Sequence, residues 1–301
     1  MGLSMNTKKF HIMFMLNLDC PNHTENTSIQ KFQKYINTKN YLKQLRKYLY
    51  RMDKYYEILS SFGTHDELNP KIWDDASGDT PKLKLQIRKA LLMIAGEFLD
   101  FLGENIFVDD VRFTGSLANY NWSKFSDIDL HLYVDFNQFE REDQEVYKEL
   151  FQLKKTLFNT THDITVKGYE VELYAEDVNE PHFSTGVYSV LFDEWVEKPV
   201  KEEVKVDREM LKNKAQSMMD KIDSVMDGAK KENYDDAVKH IDSFKEKLKK
   251  YRSAGLEKEG EFSYENLVFK VLRRNGYIDK LFDFKNKLMD KELSIETKDI
   301  E

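Results

Sequence analysis

Apolar residues change their period several times along this 301-residue chain, and each change predicts an element. From Lys31 to Ser60, Leu42, Leu45, Leu49, Met52, Tyr56 and Leu59 recur every three or four positions, the signature of a helix with one core-facing stripe. The loop Gly63–Asp79 follows. Thr80 as cap and Pro81 at the first helical position then open a second helix, with a stripe of Leu83, Ile87, Leu91, Ile94, Phe98 and Phe101. Ile106–Phe113 reads as an apolar strand. In the next strand Ile128, Leu130, Leu132 and Val134 alternate with Asp127, Asp129, His131 and Tyr133, which predicts one buried face and one polar face.

Helical spacing returns over Arg141–Phe158 through Val146, Leu150, Leu153 and Leu157, and Lys167–Asp177 is a second alternating strand. No proline lies between Pro81 and Pro181, as strands that donate their backbone N–H groups require. Beyond Pro199 the pattern is helical throughout. Leu211, Ala215, Met218, Ile222 and Val225 form one stripe, and Tyr234, Ala237, Ile241, Phe244, Leu248 and Tyr251 form another with heptad-like spacing. Gly228 separates them, which predicts a helical hairpin. Ser263 as N-cap and Gly276 as stop enclose a last helix with the apolar face Leu267, Val268, Val271 and Leu272. The expected architecture is α/β (α+β): an N-terminal helical segment at 1–78, a core with a mixed β-sheet at 79–200, and a C-terminal helical domain at 201–301.

Chemistry concentrates in Phe113–Phe136. Asp127 and Asp129 leave the same strand face, because side chains repeat every two residues, and two carboxylates so placed repel unless a cation joins them. Gly115 and Ser116 form a turn just before them. Glycine lets a phosphate approach the backbone N–H groups, and the serine hydroxyl adds a donor. On the later strand Glu170 and Glu172 share a face, while Val171, Leu173 and Ala175 take the other.

A strand, a Gly-Ser turn and an Asp-Ile-Asp on the next strand resemble the signature of the DNA polymerase beta-like nucleotidyltransferase superfamily. The resemblance implies a nucleotidyltransferase core, with Asp127, Asp129 and a third carboxylate as catalytic and metal-binding residues. Glu172, followed by two apolar residues and a small one, is more similar to the family's third ligand, and Glu170 is the alternative. It further implies two Mg²⁺ ions, with Mn²⁺ as a substitute, and transfer of a nucleotidyl group from ATP or another NTP to a hydroxyl acceptor with release of pyrophosphate. Gly115 and Ser116 would hold the β- and γ-phosphates. Acceptors of three kinds stay open: protein, RNA or a small molecule. The alternatives are a catalytically degenerate nucleotide- or RNA-binding sensor, and a synthase of short or cyclic oligonucleotides.

Three further features bear on that expectation. Tyr188, in the segment 181–195, is a candidate for stacking on a nucleotide base, the alternative being a core tyrosine. Lys270, Arg273 and Arg274 crowd one helix end, where they serve either as partners of the helix dipole or, for Lys270 and Arg273, as contacts to a triphosphate. His131 shares the aspartates' strand face but suits a hard cation poorly, so it is read as a packing or supporting residue. Cys20 and His23 are too few for a zinc site.

The formal net charge of −8 argues against a sequence-blind grip on nucleic acid. A single cysteine, Cys20, allows no intramolecular disulfide and points to a reducing compartment. The apolar run Phe10–Leu18 is interrupted by His11 and Asn17 and is too short to span a bilayer, so no membrane association is expected. STGVYSVL and GEFSYENLVFKVLRRNGY are also similar to nucleotidyltransferase-like proteins of tailed bacteriophages, a resemblance that implies the cytoplasm of an infected cell.

Overall fold

The computed structural model describes residues 42–43, 49, 52–103, 106–180, 184–201 and 204–294. The chain divides into two compact units, Met1–Asp53 and Lys54–Glu301. In the first, the described residues are helical, but Leu42 and Leu49, assigned to the core-facing stripe, are exposed, and Leu45 lies outside the described residues. The second is a mixed α/β unit with a mixed six-stranded sheet. It opens with helical residues 54–60, where Tyr55, Ile58 and Leu59 are buried and Tyr56, assigned to the stripe, is exposed.

The two-residue strands β1 (Trp73–Asp74) and β2 (Lys82–Leu83) pair with each other ahead of helix α1 (Leu85–Leu102). This corrects the predicted start at Thr80 and Pro81. Leu83 is drawn into an extended pairing with Trp73, and Lys84 takes the cap position without a side-chain cap bond. The predicted stripe otherwise lies inward, with Ile87, Leu91 and Phe98 buried and Ile94 and Phe101 packed beside them.

β3 (Asp110–Thr114), β4 (Ile128–Val134), the short β5 (Thr165–Val166), β6 (Tyr169–Asp177), β7 (Val187–Ser189) and β8 (Glu194–Glu197) form the sheet in the order β5-β6-β4-β3-β7-β8. Only β4 and β6 run parallel, and helix α2 (Gln144–Thr161) makes the crossover between them. Alternation holds on β4: Ile128, Leu130, Leu132 and Val134 are buried against α1 and α2. Leu68, Ile72, Trp73 and Ala76 join the same cluster.

Helix α2 contradicts the face assigned to it. Val146, Leu153 and Leu157 are more than half exposed, whereas Phe151 and Phe158 are buried. Phe151 packs against Phe136, and Phe158 against Phe98 and Phe101. Lys154 Nζ donates to the Phe101 and Leu102 carbonyls at the end of α1 and so fixes that rotation.

The C-terminal half is helical, as the pattern predicts: α3 (Arg208–Ala229), α4 (Tyr234–Glu259), α5 (Tyr264–Arg274) and α6 (Tyr277–Leu293). Their apolar faces meet helical residues 54–60 in a second buried cluster. Ser263 caps α5 by accepting from the Asn266 N–H, and Gly276 follows it at φ 73°, in the left-handed region. Leu267, Val268, Val271 and Leu272 are all buried. At Gly255 a Cβ would stand 2.8 Å from Ser263 Oγ, so this glycine lets the start of α5 cross close over α4. Among the described residues no helix is long and apolar enough to cross a membrane.

Candidate metal centre

Strand register builds the site. Thr114 at the end of β3 faces Asp129 on β4, and Asp129 faces Glu172 on β6. Asp127 lies one residue before β4. One carboxylate oxygen from each of Asp127, Asp129 and Glu172 lies within 4.8 Å of the others, an arrangement able to hold a metal ion. Glu170, the alternative third ligand, faces Thr165 of β5 and is exposed.

Gly115 lies at φ 76°, a conformation that side chains rarely adopt. A Cβ there would also stand 1.8 Å from Asp129 Oδ2, so the glycine is required by the carboxylate as well as by the turn. Asn119 Nδ2 donates to the Gly115 carbonyl at 2.9 Å, and Thr185 Oγ1 donates to Asn119 Oδ1 at 3.0 Å. Gly186 fits because a Cβ would meet the Ala118 carbonyl at 2.3 Å. Ser184-Thr185-Gly186 is therefore a buttress of the Gly-Ser turn. Ser116 Oγ hydrogen-bonds Ser126 Oγ at 2.7 Å, which also accepts from the Ser123 N–H at 2.9 Å.

Burial, then the charges of Asp127 and Glu172, push the Asp129 carboxyl well above the usual carboxylate range. Arg273 on α5 opposes this, with Nη2 3.5 Å from Asp127 Oδ2. Lys270 is lowered by burial, and its Nζ lies 3.8 Å from Glu261 Oε2. That oxygen also accepts from Asn121 Nδ2 at 2.7 Å, which joins the start of α5 to the loop before β4. Arg274 turns away. Its Nη1 donates to Ser61 Oγ at 2.8 Å, the guanidinium lies over Phe62 and Phe125, and burial brings it down to about 10.

Tyr188 does not face the carboxylates. It is fully buried, packs edge-on against Trp73 and Trp195, and donates to Asp193 Oδ1 at 2.8 Å. β7 pairs Tyr188 with Phe113, and this places its ring on the apolar side of the sheet, so the base-stacking expectation is corrected to a core tyrosine. His131 lies outside the carboxylate set, stacked on Tyr174 with ring centroids 4.4 Å apart.

Three residues near the site escaped the sequence reading. Tyr174 donates to Glu172 Oε2 at 2.6 Å, and period-two spacing from Glu172 was the available signal. Lys155 on α2 stands 3.8 Å from the Tyr174 ring centroid, and burial lowers its ammonium while Glu172, Glu176 and Asp129 counteract. Arg252 on α4 donates to Asn266 Oδ1 at 3.1 Å and is lowered by burial and by the nearby Arg273 charge. Nothing in sequence set Arg252 apart from the other charges of that helix. No protein-family model matches the chain, and neither does any curated protein or solved structure.

Proposed function

We propose that the protein is a divalent-metal-dependent nucleotidyltransferase of the DNA polymerase beta-like type, with Asp127, Asp129 and Glu172 as its metal ligands. The observation that carries this reading is the β3-β4-β6 register, which gathers three carboxylates beside a turn where Asp129 itself leaves room only for glycine. The donor set fits Mg²⁺ or Mn²⁺: all ligands are oxygens, and a divalent cation offsets the repulsion that raises Asp129. When bound, the metal supplies charge neutralisation at the phosphates and acidifies the acceptor hydroxyl.

In the proposed reaction the acceptor oxygen bonds to the α-phosphorus of an NTP, the bond from that phosphorus to the β-phosphate bridging oxygen breaks, and pyrophosphate leaves. The acceptor proton is released to solvent. The Gly115–Ser116 turn receives the β- and γ-phosphates, with Arg273 and Lys270 facing them from α5 and Arg252 adding charge from α4. Balanced negative and positive walls suit a substrate that carries negative charge into the cleft together with metal ions.

Incubation with NTPs labelled at the α-phosphate, with Mg²⁺, alone and with cellular RNA or protein, tests the reading and identifies the acceptor. The expected result is α-label in a new covalent species and none from γ-labelled NTP. Binding of NTP without any transfer would instead favour a sensor that kept the pocket.

A further inference from the structure

On the polar face of the sheet a group of side chains surrounds Glu172 without belonging to the carboxylate set. Tyr174 lies two residues beyond Glu172 on β6, so both leave the sheet on one side, and its hydroxyl donates to Glu172 Oε2 at 2.6 Å. His131 sits opposite Tyr174 in the parallel β4–β6 register and stacks on it with planes 7° apart. Lys155 reaches the same ring from α2. Glu176 Oε2 lies 3.1 Å from His131 Nδ1.

Glutamate reaches its carboxylate through three torsions, and fixing them at the moment of metal binding costs affinity. A hydrogen bond from a phenol that is itself packed on two ring contacts removes much of that freedom beforehand and assigns Oε2 to the protein. We propose that Tyr174, held by His131 and Lys155, is a positioning residue that sets the Glu172 carboxylate in the orientation that binds the divalent cation. The proposal rests on the metal-dependent reading of the site. It gives Glu172 a support that the exposed Glu170 on the β5 side does not share in this stack.

The test is Mn²⁺ binding to the full chain, read from the paramagnetic resonance signal of free Mn²⁺, beside a thermal melt of each variant. Tyr174→Phe keeps the ring and removes the hydroxyl, and it should weaken Mn²⁺ about 10- to 100-fold with little change in melting temperature. His131→Ala should weaken Mn²⁺ by loosening the ring, and His131→Phe, which keeps a stacking partner, should restore most of the affinity. Wild-type Mn²⁺ affinity in Tyr174→Phe, alongside impaired binding in Glu172→Gln, overturns the positioning role and leaves the metal site standing. If Tyr174→Phe does not fold, equal affinities in His131→Ala and His131→Phe overturn it. Wild-type affinity in both Glu172→Gln and Asp129→Asn would sink the metal reading itself, and this proposal with it.

Discussion

Gly115 shows how one residue can be fixed by two independent demands. Its φ of 76° favours glycine, and the carboxylate of Asp129 occupies the place where any Cβ would go. Gly115→Ala is therefore expected to cost about 1–3 kcal/mol in chemical denaturation and to displace Asp129, so that Mn²⁺ binding falls with stability. Asp129 carries the opposite balance. Its folded-state carboxyl lies above its ordinary value of 3.8, so the native state binds more protons than the unfolded chain between that value and the raised one. Stability of the metal-free protein should fall as pH rises through this window, because the folded state disfavours the ionised form. With chelator present, Asp129→Asn should melt higher than wild type at neutral pH and lose that pH dependence; an equal or lower melting temperature would contradict the assignment. The pairing of Asp127 with Asp129 and the turn at Gly115 were legible because strand alternation and turn chemistry are local, whereas alternation left Glu170 and Glu172 on one face and the choice of Glu172 rested on the resemblance. Tyr188 was not legible, since which side of the sheet its ring takes depends on the pairing of β7 with β3.

Among the elements of the α/β core, α2 is the helix whose buried face was misread, and the reason is general. Its sequence carries two apolar sets, Val146, Leu150, Leu153 and Leu157 on one side and Tyr147, Phe151 and Phe158 on another, and period alone does not say which side faces inward. The aromatic set wins because it fills space beside Phe98, Phe101 and Phe136, while Lys154 finds the carbonyls that end α1. Urea denaturation should separate the two faces: Phe151→Ala is expected to cost about 3–5 kcal/mol, and Leu153→Glu no more than about 0.5 kcal/mol. The reverse order would mean that the helix is rotated. Helix α5 was read in full, since its cap, stop and single apolar face agree with one another. The start of α1 was missed because pairing of Leu83 with Trp73 is a tertiary event that Thr80 and Pro81 do not announce.

Across the Lys54–Glu301 unit, the sheet supplies the carboxylates and the C-terminal helices supply the cations. Asn121 to Glu261, Arg273 to Asp127 and Arg274 over Phe125 are among the contacts that bring them together. Arg273→Ala should weaken NTP binding about tenfold or more, and Arg273→Lys less, since lysine keeps the charge but loses the paired N–H donors. Calorimetric titration with a non-hydrolysable NTP analogue measures both, and unchanged affinity in the double Lys270→Ala, Arg273→Ala protein would remove α5 from the site. The central claim is tested most directly by pyrophosphate release from NTPs with Mg²⁺ and candidate acceptors, wild type beside Asp129→Asn. Release by wild type and its loss in the Asp129→Asn protein is the expected result; equal release by the two proteins from every NTP would contradict it.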